Sequence, residues 1–338
     1  MKKITIKDIA KMAGVVPSTV SSVLNGNAIK NRISNALAQK ILTIAKQVGY
    51  SPNQVAVSLR TGSSKLIGLL VEDISNLFYA MIASTIEDEL KKYGYRVVCC
   101  STKNDPINGS ELLNMLYQRQ VDGYIITPVE GMETNLISLK EQQKPIILID
   151  RFFHGLELSY VLVDDHKGIN DGMNHLIEKG YRNIAFVTTD LGQEHMNYRE
   201  KAFKEFLIKH DIEFQDSHLL KIPYKMEMAP MIERINSFIT NSNSIDALFF
   251  ATNYLCIAGL QSLQRLKKSI PNDIAILCFD DHDIFEIYPP GITVIRQPIK
   301  EIGQTAVKLL MQRIESPNDN LTHSQIVLPG NLILRGST

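Results

Sequence analysis

Four apolar runs of strand length, KLIGLLV (65–71), YRVVCCS (95–101), DGYIITP (122–128) and KPIILID (144–150), alternate with segments whose apolar residues recur at helical spacing: FYAMIASTIEDELKKYG, GSELLNMLYQRQ and TNLISLKEQQ. A strand that is apolar on both faces belongs inside a parallel sheet covered by helices, so this stretch predicts an open α/β layer structure. The grammar restarts at Asp164 with helix GINDGMNHLIEKG, strand YRNIAFVT, helix NYREKAFKEFLIKH and a strand over 219–222. It continues with helix APMIERINSFIT, strand DALFFAT, a helix over 255–267 and strand IAILCFDD. ELKKYGYRVVCC and LIEKGYRNIAFV repeat one joint of helix, Gly-Tyr and strand. That repetition predicts two similar doubly wound lobes facing each other across a cleft.

Ahead of the first strand the period is helical and the elements are short. TIKDIAKMA (5–13) sets Ile6, Ile9, Ala10 and Ala13 on one face behind Thr5 as N-cap, and Gly14 ends it. Pro17 opens PSTVSSVLNG, with Val20, Val23 and Leu24 inward and Ser18, Thr19, Ser21, Ser22 and Asn25 outward. A third helix from Ser34 to Val48 is expected to bury Leu37, Ile41, Leu42, Ile44 and Ala45. Three such helices match a helix-turn-helix domain. SPNQVAVSLRTG (51–62) follows, with Ser51-Pro52 as a helix start and Gly62 as its stop. An isolated helix shorter than roughly 12 residues is marginal in water, and Val55 and Val57 weaken this one further, so it needs something to fold against.

Charge sets this first part apart. Up to Gly62 there are nine basic residues and one acid, a formal +8, while the remainder carries 27 basic and 35 acidic residues, a formal −8. A basic head on an acidic body implies that only the head meets a polyanion. The 338 residues, 44% hydrophobic and 21% charged, are enough for two or three globular domains. Lys7, Asp8 and Lys11 break up any signal-peptide core, so a cytoplasmic protein without a membrane segment is expected. Cys99, Cys100, Cys256 and Cys278 lack metal-ligand spacing and are expected to be buried thiols. FDDHD (279–283) offers acids and a His on consecutive positions, which rarely converge on one ion, and no metal or other cofactor is expected. With no GxGxxG after a strand, no Walker loop and no GxSxG elbow, an enzyme is not expected either.

These motifs in this order resemble the lactose/galactose-repressor-type transcription regulators. The resemblance rests on TIKDIAKMAGV..STVS.VLNG, YSPN..A.SLRTG.S..IGLLV.DISN.F, VDGYII and FDD…P.IT.I.QP…IG..A., and runs through nearly the whole chain. It implies a helix-turn-helix head (1–50), a hinge helix (51–62) and a core shaped like the periplasmic sugar-binding proteins (63–338). Within that core the first lobe is expected over about 63–161 plus 296–325, and the second over about 162–295 plus the C-terminal end. The implied function is a repressor that binds a pseudo-palindromic double-stranded operator as a homodimer, with a tetramer as the alternative, and is switched by a small molecule.

On that resemblance the helix from Pro17 enters the major groove. Pro17, Ser18 and Ser22 then face base edges, Thr19, Ser21, Asn25 and Tyr50 hold phosphates, and Thr5 is also expected to bind DNA. In the hinge, Val55, Ala56 and Val57 pair closely with the partner's helix. Leu59 wedges into a base step, and Asn53 and Arg60 meet backbone or groove edge. Three departures stand out: Val16 replaces the usual capping Ser, Ser22 stands where relatives often have Arg, and GNAIKNRIS makes a longer turn before the third helix.

Ligands of open α/β lobes bind beyond the carboxyl ends of the strands. That rule points to Asp73, Ser75, Asn76, Phe78, Tyr79, Thr127, Asp150, Arg151, Asn253 and Asp280, with Arg199 at the start of a helix. The resemblance makes Asp150, Arg199, Asn253 and Asp280 effector ligands, Phe78 and Tyr79 stacking faces, and Gln297 a crossover contact. Asp73 and Asp150 as helix caps, and Arg199 paired on the surface with Glu200 or Asp190, are the purely structural alternatives. Carboxylate, guanidinium and amide groups beside aromatic faces suit a sugar. Tyr254, where relatives commonly have Asp after the Asn, changes the shape of that site, and a nucleobase is the alternative ligand. A solute receptor without DNA function is the rival reading, and it has no use for a basic head.

Overall fold

The computed structural model describes residues 4–50, 54–190, 192, 194–215, 218–242, 244–316 and 322–338, leaving the side chains of 54–56 undescribed. The chain divides into two units, Met1–Ser64 and Lys65–Thr338.

The first unit holds α1 (Ile6–Ala13), α2 (Pro17–Leu24), α3 (Asn35–Gln47) and α4 (Gln54–Thr61). Thr5 and Asp8 form a reciprocal capping box at the start of α1, and Gly14 ends it at φ 74, a left-handed conformation that glycine adopts without strain. Val16 precedes α2 without a side-chain cap, and Pro17 removes one of the N–H groups that would need one. The core is Ile9, Ala10, Ala13, Val20, Val23, Ala38, Ile41 and Ala45. Two expectations for α3 change. Leu42 is exposed and Ala38 is buried, because 38, 41 and 45 form one narrow stripe and Leu42 lies a step round the helix from it. The hinge helix begins by Gln54. Ser51, Pro52 and Asn53 lie outside the described residues, as do the side chains of Val55 and Ala56.

In the second unit, β1 (Leu66–Val71), α5 (Leu77–Lys92), β2 (Arg96–Ser101), α6 (Pro106–Gln118), β3 (Gly123–Ile126), α7 (Glu133–Glu141), β4 (Ile146–Ile149) and β5 (Ser159–Asp164) build the first lobe. The second lobe contains α8 (Asp165–Glu178), β6 (Ile184–Asp190), α9 (Glu194–Lys209), β7 (Leu219–Pro223), α10 (Met228–Asn241), β8 (Ala247–Phe250), α11 (Asn253–Arg265), β9 (Ala275–Phe279), α12 (Asp283–Ile287) and β10 (Thr293–Arg296). The chain then gives α13 (Ile299–Glu315) and β11 (Gln325–Pro329) to the first lobe and β12 (Asn331–Ile333) to the second. The sheets run β11-β5-β4-β3-β1-β2, all parallel, and β12-β10-β9-β8-β6-β7, parallel except for β10 with β12. The repeated Gly-Tyr joints carry Gly94 at φ 76 and Gly180 at φ 97, so each helix turns into its strand through a left-handed glycine.

Sheet membership moves the expected lobe edges. The boundary placed at 161/162 falls inside β5, and the one placed at 325 falls at the first residue of β11. VDDHKG (163–168), which reads as a helix start capped by Asp164 or Asp165, is one: α8 starts at Asp165 behind Asp164 as its cap, while α11 starts at Asn253 rather than 255. β2 is an edge strand, so Cys99 is exposed and Cys100 half-buried, contrary to the expectation of buried thiols, whereas Cys256 and Cys278 are buried. No helix among the described residues is long and apolar enough to cross a membrane.

Candidate functional site

Counted within its lobe, the first sheet runs 2-1-3-4-5-6 and the parallel part of the second 2-1-3-4-5, which opens a crevice between the first and third strands of each count. In the first lobe the crevice lies where β1 and β3 part, and in the second where β6 and β8 part. Residues just past the strand ends line one cleft: Glu72 after β1, Asp150 after β4, Tyr224 after β7, Thr252 and Tyr254 after β8, Asp280 after β9 and Gln297 after β10. Asn76, Phe78, Tyr79, Thr189, His195, Met196 and Arg199 complete it.

Two guanidinium centres organise the cleft. Arg151, buried in the first lobe, is ion-paired with Glu72 and donates to Asn104 Oδ1 at 2.9 Å and to Tyr79 Oη at 3.2 Å, while Tyr79 donates to Asp150 Oδ2 at 2.9 Å. Arg199, buried in the second lobe, donates from Nε to Asp165 Oδ1 at 2.7 Å and from Nη1 to the Ala251 carbonyl at 2.8 Å. Its guanidinium lies 3.7 Å from the Phe279 ring centroid and 3.7 Å from Asp280 Oδ2, and Gln297 donates to Asp280 Oδ1 at 2.5 Å. Tyr224 closes the gap between lobes by donating to Glu72 Oε1 at 2.8 Å. On one side of the cleft, His154 Nε2 meets Tyr198 Oη at 2.9 Å and Glu194 Oε1 at 3.0 Å.

Burial sets the electrostatics. Loss of water raises the pKa of Asp165 to about 6 against the pull of Arg199, and raises Asp150 and Asp280 against Arg151 and Arg199 respectively. His195 is pushed well below the usual imidazole value, first by burial and then by Arg151 and Arg199, so it stays neutral at pH 7. Four carboxyl groups, those of Glu72, Asp150, Asp165 and Asp280, thus stand around the two guanidinium groups of Arg151 and Arg199. Thr189 Oγ1, Thr252 Oγ1 and His195 Nδ1 are buried at the cleft with no hydrogen-bond partner among the described residues, an arrangement that a polar ligand resolves.

Of the effector residues expected from the strand ends, the cleft brings together Asn76, Phe78, Tyr79, Asp150, Arg199, Asp280 and Gln297. Asn76 also caps α5 by accepting from the Phe78 N–H. Arg151 stands behind Tyr79 and Asp150. Arg151 is thus outside the lining, and two further expectations change. Asp73 is absent from the lining; it accepts from the Ser75 N–H and pairs with Lys103 at 2.6 Å, because side chains alternate past a strand end and Glu72 takes the inward position. Asn253 is the first residue of α11, buried but outside the cleft lining, which takes Thr252 and Tyr254 on either side of it. Neither surface pairing considered for Arg199 occurs. The acids of FDDHD diverge: Asp280 turns inward, Asp281 pairs with Arg296 and Arg335, and His282 caps α12.

In the head, Pro17 and Ser18 are exposed and Thr19, Ser21, Ser22 and Tyr50 are half-buried. Thr5 is committed to its cap with Asp8. Asn25 donates to the Ser21 carbonyl at 2.6 Å and accepts from Arg60 Nη2 at 2.9 Å, so two residues expected on the DNA are joined to each other. Leu59 is 74% exposed.

Comparison with known proteins gives this geometry its relatives. The family model for bacterial regulatory proteins of the lacI family matches residues 5–53, and that for the periplasmic binding protein-like domain matches 173–338. The chain is 32% identical over 99% of its length to the HTH-type transcriptional regulator RegA of Clostridium saccharobutylicum, of which it covers 99%. It is 30% identical to a LacI family transcriptional regulator from Enterococcus faecium solved with bound ribose, with a TM-score of 0.71 over 81% of this chain and 98% of that one. A Lac repressor dimer bound to operator and the anti-inducer ONPF superposes with a TM-score of 0.87 over 100% of this chain and 99% of that one; at 20% identity this is a likeness of fold.

Proposed function

Since the chain belongs to the lacI family of bacterial regulatory proteins, we propose that it binds a pseudo-palindromic operator as a dimer and that a neutral sugar held between its lobes controls that binding. The observation that carries the effector reading is the set of buried, unpartnered groups of Thr189, Thr252 and His195 beside a ring of carboxylates. Hydroxyl groups both donate and accept, so a polyol can satisfy these atoms and the acids together. A sugar phosphate fits less well, since its dianion would sit beside the buried carboxyl groups of Asp150 and Asp280 at low dielectric.

Three phenols at the cleft, Tyr79, Tyr224 and Tyr254, favour a planar nucleobase as the second reading. In either case closure of the lobes on the ligand alters the dimer and with it the spacing of the two heads, and effector and operator change each other's affinity by one factor. We read the protein as one that works in the cytoplasm on DNA and turns over no substrate, a reading supported by relatives that are transcription regulators.

Fluorescence anisotropy of labelled upstream DNA, titrated across neutral sugars, sugar phosphates and purines, tests this. A neutral sugar is expected to shift the operator-binding curve. A response confined to phosphorylated sugars overturns the effector reading, and absence of any sequence-specific binding overturns the regulator.

A further inference from the structure

The long turn between α2 and α3 is built, not loose. The Asn27 N–H donates to the Ser22 carbonyl at 2.9 Å, Asn31 N–H to Asn27 at 3.0 Å, Arg32 N–H to Ile29 at 3.0 Å and Ile33 N–H to Ala28 at 2.9 Å. Ala28 and Ile33 pack against the head's core, while Ile29, Lys30, Asn31 and Arg32 are exposed. Out of this turn Asn31 Nδ2 reaches back to donate to Ser22 Oγ at 2.8 Å.

Ser22 lies one helical turn beyond the exposed start of α2, on the face the regulator reading sets against base edges. A serine alone reaches too short a distance to discriminate well. Asn31 extends that reach. One amide hydrogen goes to Ser22 Oγ, which restrains the carboxamide; when that is the hydrogen turned away from the carbonyl oxygen, the other hydrogen and the oxygen form the side-by-side pair that matches adenine N7 and N6. We infer that Asn31 is a specificity-determining residue reading an adenine in each half-site, with Ser22 as its positioning residue. Lys30 and Arg32, flanking it on the exposed tip, take phosphates and set affinity without sequence preference.

This inference rests on the regulator reading, and selection from a randomised half-site library with the full-length protein separates the two. Wild type is expected to enrich a palindrome containing an A·T pair that Asn31→Ala no longer prefers, a loss of roughly ten-fold in discrimination at that pair alone. Asn31→Asp, which keeps an acceptor and loses the donor, is expected to move the same pair toward cytosine, a gain that a misfolded head cannot produce. Ser22→Ala weakens that pair too, and Lys30→Gln lowers affinity for all sequences alike and flattens the salt dependence. Unchanged base preferences in Asn31→Ala and Asn31→Asp, or an equal loss at every position, overturn the inference while leaving the regulator intact. A wild-type protein that enriches no sequence removes both.

Discussion

Arg199 holds Asp165, 2.7 Å from its Nε, on a guanidinium that also stacks on Phe279, so one side chain neutralises the first residue of α8 and faces the cleft. Arg199→Ala leaves Asp165 and Asp280 buried without their cation. It is expected to cost about 3–5 kcal/mol of stability in urea unfolding and to abolish effector response. Arg199→Lys keeps the charge and loses the fork and the stacking, so it restores part of the stability and little of the response.

The pH dependence splits into two opposite contributions. The pKa of Asp165 is raised to about 6 on folding, so the native state binds its proton more readily than the unfolded chain; this contribution is fully present below about 3.8 and is lost as pH rises through 6. For His195 the folded pKa is depressed, so its contribution is present above 6.5 and is lost as pH falls below it. Asp165→Asn is therefore expected to remove the stabilisation that appears on acidification between 6 and 4, and His195→Gln to reduce the acid sensitivity that begins below 6.5. Thermal melts across pH 4–8 separate the two, and parallel curves for both variants refute the assignment.

Leu59 stands exposed on α4 next to Arg60, which is tied to Asn25 at the end of α2. Leu59→Ala is expected to weaken binding to the operator by ten-fold or more, about 1.4 kcal/mol, while binding to random DNA stays within two-fold. Equal losses on both DNAs count against a wedge. Arg60→Ala releases Asn25 and is expected to lower the operator affinity without changing which bases are preferred.

Gly259 on α11 has no room for a side chain, since a Cβ there would collide with the Phe250 ring of β8. Gly259→Ala is expected to destabilise the second lobe by about 1–3 kcal/mol, seen as a lower urea midpoint, with operator binding by the folded fraction unchanged.

The alternation of apolar runs and helical periods made both lobes and the three-helix head legible, because parallel strands buried on two faces leave little else to read. What stayed hidden was orientation. Glu72 and Asp73 are adjacent past a strand end, and only the pleat decides that Glu72 faces the cleft while Asp73 pairs with Lys103. Asp164 and Asp165 look alike as helix starters, yet the first caps α8 and the second is buried against Arg199. Tyr224 and His195 reach the cleft from elements whose local sequence carries no sign of it; a neutral histidine beside two arginines is visible only once the lobes are folded together. Cys99 reads as apolar core because its strand is apolar, and only strand order puts it on an edge.

The Tyr224 hydroxyl and Glu72 join the two lobes across a cleft that is open to solvent on its flanks. The consequence of that join is one of timing. If a ligand enters only when the contacts between the lobes part, its arrival rate levels off as concentration rises, at a ceiling fixed by how often the lobes open. Affinity is lowered by the fraction of time spent shut. Excess effector would then raise occupancy but not speed, and the delay in the response would be set by the contacts of Tyr224 and His154 that join the lobes across the cleft.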